Sequence, residues 1–103
     1  TSALHRAALA RPAAQHTALT TLFTGRPACG IVNRVIRELG PLSASAPEFP
    51  TATAAMAPLR AAAEKLGLGD FSPLWSGQNN AGCQAVPAAQ ITQGLAQGLA
   101  QTL

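Results

Sequence analysis

One stretch, residues 20–34, constrains the fold of this chain more than any other. It reads Thr-Thr-Leu-Phe-Thr-Gly-Arg-Pro-Ala-Cys-Gly-Ile-Val-Asn-Arg. Residues Ala18–Thr24 are rich in β-branched and aromatic side chains, which predicts a short buried strand. Gly25 permits a tight turn, Arg26 places a charge at the strand end, and Pro27 ends any ladder. Apolar residues then recur at helical spacing and predict an apolar helix face: Ile31, Val32, Val35, Ile36 and Leu39.

A strand, a glycine turn with an arginine and then a helix is the arrangement of a ligand-facing βα loop in α/β proteins. A Gly-Arg-Pro turn is more often a purely structural connection, and the residues alone leave both interpretations open. No other segment alternates as a strand does. We therefore predict that the strand at 18–24 has no partner strand within this chain and needs one from outside it.

Composition limits the architecture to one small piece. The chain has 103 residues, of which 48% are hydrophobic and only 11% are charged, whereas about 25% of the residues in a typical soluble domain are charged. Such a surface suits a face that packs against further structural elements, or a compact alanine-rich helical bundle. The first residue is Thr1 rather than Met, which we interpret as the mark of a fragment.

Charge and cysteine usage exclude several classes of function. The net charge of +3 comes from seven basic residues that are scattered along the chain, so we expect no nucleic-acid binding. No stretch approaches the roughly 18 apolar residues of a membrane span. Cys29 and Cys83 form no Cys-x-x-Cys pair and have no histidine at metal spacing. We therefore expect no metal site, two reduced thiols and a cytoplasmic protein.

Four further helical segments are predicted. Ala3–Ala14 favours a helix that Ser2 caps and Pro12 ends or distorts. Because an interior proline costs ~3 kcal/mol in a helix, we predict two helices at Thr51–Met56 and Pro58–Leu66, and a last one at Pro87–Leu103. The helix at Pro58–Leu66 is predicted to have a buried face, formed by Leu59, Ala62, Ala63 and Leu66.

Few polar residues on these helices are candidates for a catalytic role. Arg60 and Glu64 are spaced for an i,i+4 surface pair and no more. His5 falls on a surface helix and His16 in a loop, and neither is expected to have a chemical role. We assign no catalytic residue within the chain.

The irregular segment at residues 67–86 carries the most polar motif, Trp75-Ser76-Gly77-Gln78-Asn79-Asn80. It combines a large flat side chain, a flexible glycine and three consecutive amides. Amides both donate and accept hydrogen bonds, which suits the polar edge of a planar heterocycle. The same residues are typical of a tryptophan that anchors an Asn/Gly-rich turn, so both interpretations stay open here.

Two blocks of this sequence resemble the C-terminal third of bacterial nitronate monooxygenases, formerly called 2-nitropropane dioxygenases. The first is Phe23-Thr24-Gly25-Arg26-Pro27-Ala28 leading through Gly30-Ile31-Val32-Asn33-Arg34 to Arg37-Glu38-Leu39-Gly40-Pro41-Leu42; the second is Gly69-Asp70-Phe71-Ser72-Pro73-Leu74-Trp75-Ser76-Gly77-Gln78-Asn79. The match runs from about Ser2 to Ala96. We would expect an arginine at the position of Cys29, so no ionic role is carried over to it.

The resemblance implies an α/β fold in which residues 1–103 form a single piece, the C-terminal third of an FMN-binding (β/α)₈ TIM barrel. The fragment itself is expected to be mostly helical with one short strand. The implied reaction is oxidation of an alkyl nitronate by molecular oxygen to a carbonyl compound and nitrite. The implied partners are the nitronate, oxygen and a missing N-terminal barrel segment, which holds the catalytic base.

The residues that the resemblance places at the flavin are Gly25, Arg26, Trp75, Gly77 and Gln78. The segment Trp75–Gln78 is expected to form a rigid loop close to the Gly25-Arg26 turn, on the C-terminal side of the strand. Two other functions stay open. One is a non-catalytic helical interaction module, and the other is a related flavin barrel such as an enoyl-thioester reductase.

Overall fold

The computed structural model describes residues 1–103, which form four α-helices and a two-stranded sheet. Their order is α1 (Ala3–Leu9), a 3₁₀ turn (Pro12–Gln15), β1 (Thr17–Thr20), β2 (Ala28–Ile31), α2 (Arg34–Leu39), α3 (Thr51–Lys65) and α4 (Ala88–Thr102). The fold class is therefore α/β, as the sequence predicts, with two strands rather than one.

The N-terminal helix follows its sequence signals. The Ser2 hydroxyl accepts a hydrogen bond from the His5 backbone N–H and caps α1. Pro12 opens the 3₁₀ turn, so the helix predicted as far as Ala14 ends early and the predicted distortion at Pro12 is confirmed.

The strand at 18–24 is shorter than predicted and is paired within the chain, so the prediction that it has no partner is wrong. β1 pairs with β2 in antiparallel register, from Thr17 opposite Ile31 to Thr20 opposite Ala28. Pro27 lies just outside the ladder, whose last pair is Thr20 with Ala28, so it bounds the ladder as predicted. Ile31, which we placed on a helix face, is a buried strand residue.

The helix after this hairpin begins at Arg34 and ends where Gly40 takes a φ of 79°, as the Gly-Pro signal predicts. Val35 and Ile36 are buried as predicted, whereas Leu39 is exposed. The main apolar cluster of the chain joins this helix to the residues that follow β1: Leu22, Phe23, Val35 and Ile36.

Pro58 does not break the alanine-rich helix, so the two predicted helices are one, α3. Pro58 and Ala54 are exposed, and the Ala54 carbonyl, which loses its helical donor at Pro58, can bond to water. Of the four residues predicted for the buried face only Ala63 is buried, while Leu59 and Leu66 are exposed. Contacts near its two ends hold this helix on the rest of the chain.

Helix α4 matches the predicted C-terminal helix to within one residue at each end, yet it packs on nothing. All residues from 81 to 103 are exposed. The radius of gyration is 15.8 Å, whereas a compact domain of 100 residues has about 13 Å. The chain is therefore a folded body, residues 1–80, with an apolar helix that extends from it.

Candidate functional site

The position of Trp75 is set by the sheet. Trp75 lies opposite Gly30 in an antiparallel bridge. The Ile31 N–H donates to the Leu74 carbonyl at 2.8 Å and the Ser76 N–H donates to the Cys29 carbonyl at 3.2 Å. Residues 74–76 thus run alongside β2 through one isolated bridge, which fixes the backbone of Trp75 although the surrounding segment is irregular.

The Trp75 side chain lies against the apolar cluster. Its ring meets the buried Phe23 ring edge-on, with 5.6 Å between centroids and 89° between planes, a favoured geometry for two aromatic rings. The Trp75 side chain still exposes 37% of its surface. A cavity of about 190 Å³ opens beside the two rings and is lined by Phe23, Thr24, Thr53, Met56, Arg60, Pro73 and Trp75.

Gly25 and Arg26 contact the segment that precedes α3. Gly25 has a φ of 90°, and a Cβ atom there would overlap the backbone at Glu48 and Phe49. The Arg26 guanidinium lies 4.1 Å from the centroid of the Phe49 ring, a cation–π distance. The turn is therefore packed and well defined, and its closest side-chain partner is Phe49 rather than Trp75.

Residues 76–80 form a loop that is fastened at both ends. At its start is the bridge of Trp75 to β2. At its end the buried Asn80 donates through Nδ2 to the Ala14 carbonyl and accepts at Oδ1 from Gln15 Nε2 at 3.2 Å. Gly77 and Gln78 lie between these anchors and are exposed.

Of the five predicted site residues, only Trp75 lines the cavity beside the two aromatic rings. Trp75 reaches the cavity that Thr24, the neighbour of Gly25, also lines. Gly77 and Gln78 follow Trp75 on the same fastened loop.

The sequence analysis assigned no structural role to two residues of this region, Asn80 and His5. Asn80 is the second anchor of the loop, and its only sequence signal is the run of three amides. His5 Nε2 lies 2.9 Å from the Trp75 carbonyl oxygen, a contact that joins residues 70 positions apart and leaves no trace in local sequence.

A second cavity, of about 550 Å³, lies on a different side of the chain and contains none of the five predicted site residues. It is lined by α1, the β2–α2 junction and the segment that follows α3: Ala3, Leu4, Ala7, Ala8, Arg11, Ala13, Ile31, Val32, Asn33, Arg34, Arg37, Glu64, Gly67, Gly69, Asp70 and Leu74. Asn33 is buried there and donates through Nδ2 to the Gly69 and Ser72 carbonyls at 2.9 and 2.8 Å. Its amide ties α2 to the Gly69–Ser72 segment.

Two ion pairs shape the charge around this cavity. Arg60 Nε donates to Glu64 Oε1 at 2.7 Å and confirms the predicted surface pair. The hydrogen bond from Arg60, followed by one from Ser72, lowers the pKa of Glu64. The hydrogen bond and charge of Glu38 raise the pKa of Arg34, so both groups are charged at neutral pH.

The chain offers no cluster of three His, Cys, Asp or Glu side chains that could hold a metal ion. Cys29 and Cys83 are free thiols. No helix is long and apolar enough to cross a membrane.

Comparison with known proteins gives a consistent result. The family model for nitronate monooxygenase matches residues 1–98. The nitronate monooxygenase of Pseudomonas aeruginosa is 35% identical over 99 residues, which cover 95% of this chain and 28% of the relative. A probable nitronate monooxygenase of Staphylococcus aureus is 30% identical over 94 residues, which cover 91% of this chain and 26% of that protein.

A solved structure agrees with these relatives. A nitroalkane oxidase from Streptomyces ansochromogenes superposes with a TM-score of 0.85 and 38% identity, over 98% of this chain and 29% of the other. The chain thus spans between a quarter and a third of the length of the proteins it matches. Because the family model matches nearly all of its residues, the chain belongs to the nitronate monooxygenase family.

Proposed function

We propose that this chain is the C-terminal third of an FMN-dependent (β/α)₈ barrel that oxidises alkyl nitronates with molecular oxygen to a carbonyl compound and nitrite. The observation that carries the proposal is the family match over residues 1–98. The names of the relatives, nitronate monooxygenase and nitroalkane oxidase, agree on the class of substrate. We also propose a cytoplasmic location, in keeping with two free thiols.

The residues of the Trp75 loop suit one wall of a flavin site. The Trp75 ring offers a flat, partly exposed surface, and the Gln78 amide, with no bond to the chain, is free to donate and accept. A Cβ atom at Gly77 would meet nothing within 4 Å, so a ring can approach the backbone there. The cavity of about 190 Å³ beside Trp75 is smaller than the roughly 300 Å³ of typical cofactor sites.

In this proposal each residue has a limited task. Trp75 supports the flavin ring, Gly77 leaves room for it, and Gln78 bonds to its polar edge. Gly25 and Arg26 form the rim, where the guanidinium, oriented by Phe49, attracts an anionic group. FMN, when bound, supplies the redox chemistry by taking electrons from the nitronate and passing them to oxygen.

The partner that we propose is the rest of the barrel. One edge of β1 faces no other strand of the sheet, and Leu19 on this strand is 59% exposed. Helix α4 presents an apolar stripe of Ile91, Leu95 and Leu99, and none of these residues is buried in the chain. An isolated helix of 15 residues with two glycines is marginal in water, so packing against further barrel elements would stabilise it.

The test uses this chain and a complementary barrel segment, defined as the part of the Pseudomonas aeruginosa nitronate monooxygenase that the chain does not match. We expect the chain alone to bind FMN poorly and to show no nitronate oxidation. Mixed or co-expressed with the complementary barrel segment, it should form a yellow complex that consumes oxygen with propionate 3-nitronate.

Each alternative outcome has a clear meaning. Enzyme-like turnover by the chain alone would contradict the proposal that it is one wall of a larger site. Oxidation of NADH without nitronate turnover would favour a related flavin barrel such as an enoyl-thioester reductase. A complex that forms without flavin would favour a helical interaction module.

A further inference from the structure

The contact between His5 and Trp75 is the longest-range side-chain link to the Trp75 loop. His5 Nε2 lies 2.9 Å from the Trp75 carbonyl oxygen. A carbonyl only accepts hydrogen bonds, so Nε2 carries the proton and donates. The backbone N–H of the same histidine donates to the Ser2 cap, and His5 therefore lies in the ordered first turn of α1.

The geometry of the bridge explains why Trp75 needs this donor. Trp75 faces Gly30 at a position where the bonds to β2 are made by the flanking residues, Leu74 and Ser76. In such an antiparallel pair the N–H and C=O of the central residue point away from the partner strand. The Trp75 carbonyl thus turns outward, towards α1, and His5 supplies its hydrogen bond.

The orientation of α1 is itself fixed by packing. Leu4, Ala8 and Leu9 pack against the buried cluster of Ala14, Ile31 and Leu74. Leu4 and Leu74 are the immediate neighbours of His5 and Trp75 in sequence, so the apolar contact and the hydrogen bond lie side by side. The imidazole is held at the carbonyl by the same packing that holds the helix.

We infer that His5 is a positioning residue for the Trp75 loop: by donating to the Trp75 carbonyl it holds, together with the bond from the Ser76 N–H to the Cys29 carbonyl, the peptide plane from which Gly77 and Gln78 continue. This inference rests on the proposed function of that loop as one wall of the flavin site. Asn80 fixes the far end of the loop and His5 the near end, so the exposed Gln78 amide is presented in one direction. The role is mechanical, and His5 itself does not touch the flavin.

The test uses Trp75 as its own probe, since the chain contains one tryptophan and no tyrosine. Fluorescence emission and its quenching by acrylamide are compared in wild type, His5→Leu and His5→Gln. Glutamine keeps an N–H donor at similar reach, whereas leucine removes it. His16→Leu is the matched control, because His16 is exposed and bonds only through its backbone.

We expect His5→Leu to increase quenching of Trp75, with His5→Gln and His16→Leu close to wild type. Circular dichroism checks that the total helix content of each variant is that of wild type. Equal quenching in wild type and folded His5→Leu would overturn the inference, and so would a His5→Gln variant that behaves like His5→Leu.

Flavin titration of the complex with the complementary barrel segment gives the second readout. Loss of one hydrogen bond worth ~1.4 kcal/mol corresponds to about tenfold weaker binding. We expect that loss in His5→Leu and its recovery in His5→Gln. Flavin affinity unchanged in His5→Leu overturns the positioning role. Should the wild-type complex bind no flavin, the proposed function fails, while the fluorescence comparison still decides whether His5 holds Trp75.

Discussion

The hydroxyl of Ser72 donates to the carboxylate of Glu64 at 2.7 Å. Ser72 is buried, and its carbonyl in turn accepts from the Asn33 amide. Glu64 is therefore more than the surface partner of Arg60 that its spacing predicts. It fastens the end of α3 to the Gly69–Ser72 segment and, through Asn33, to α2.

This arrangement makes the contribution of Glu64 dependent on pH. The hydrogen bond from Arg60, then that from Ser72, lowers the pKa of the Glu64 carboxyl in the folded chain. A lowered folded pKa gives stability that is present above the unfolded pKa and is lost as the pH falls through the folded value. Because the Glu64 side chain is 38% exposed, solvent screens the pair and the contribution stays below ~1 kcal/mol.

Denaturant unfolding of Glu64→Gln at several pH values measures this effect. We expect a lower midpoint than wild type at pH 7. The difference should shrink as the pH falls below the unfolded glutamate pKa of about 4.3 and through the lower folded value. Lys65→Ala, an exposed neighbour with no side-chain bond, serves as the control. A difference that grows on acidification would contradict the assigned direction.

Asn33 is the polar residue on which the packing of α2 depends most. Its Nδ2 satisfies two carbonyls, those of Gly69 and Ser72, in a buried position. Asn33→Ala leaves the Ser72 carbonyl without a donor, whereas the Gly69 carbonyl keeps the Ser72 N–H at 3.3 Å. We expect a loss of about 1–3 kcal/mol in the free energy of unfolding. Gln93→Ala, at an exposed position of α4, should change it by less than ~0.5 kcal/mol. Similar losses in both variants would show that the Asn33 bonds are not what holds α2.

Alanine substitutions at Gly25 and Gly67 test whether the Gly-Arg-Pro turn is held by close packing. Both have positive φ, 90° and 73°. A Cβ atom at Gly25 would overlap the backbone at Glu48 and Phe49, whereas one at Gly67 would meet nothing within 4 Å. We expect Gly67→Ala to cost about 1–2 kcal/mol from backbone strain alone, and Gly25→Ala clearly more. Thermal unfolding of the two variants measures the difference, and equal costs would exclude the packing contribution.

The sequence predicted those elements whose signals are local. Ser2, Gly40 and Pro87 mark helix ends that depend on backbone geometry within one turn, and the structure places them there. Strand β2 was missed because Ala-Cys-Gly-Ile has little strand propensity and forms a strand only by pairing with β1. The break at Pro58 was wrong because exposure of Ala54 and the anchoring of both ends of α3 outweigh one lost hydrogen bond.

In the candidate site, too, local signals were predictable from the sequence and long-range contacts were not. Trp75, Gly77 and Gln78 were predicted from residue type and from the family resemblance, and the structure fastens their loop at both ends. The anchors His5 and Asn80 act on carbonyls 66 to 70 positions away. Such contacts depend on tertiary packing, which no local pattern encodes.

Helix α4 should contribute to assembly rather than to the stability of the chain itself. Ile91, Leu95 and Leu99 are 43%, 72% and 62% exposed, so the chain itself does not bury them. We expect Leu95→Ser to leave the unfolding of residues 1–80 unchanged and to weaken binding to the complementary barrel segment. Sedimentation velocity of the mixture measures the complex, with Gln97→Ser on the opposite side of the helix as the control. Equal binding by the two variants would argue against the apolar stripe as the contact.

Substitution of Gln78 tests directly whether the Trp75 loop forms one wall of the flavin site. Its amide is exposed, makes no hydrogen bond within the chain and follows Trp75 on a loop fastened at both ends. A free amide at the polar edge of a flavin contributes about one hydrogen bond, so Gln78→Ala should weaken flavin binding about tenfold in the complex with the complementary barrel segment. It should also shift the flavin absorption spectrum, because the ring loses a polar contact. Lys65→Ala is the matched control. The neighbouring Glu64 is unsuitable, because it is bonded to Ser72 and its substitution would alter the fold. Wild-type affinity and spectrum in Gln78→Ala would remove Gln78 from the proposed site and leave Trp75 as its only supported wall.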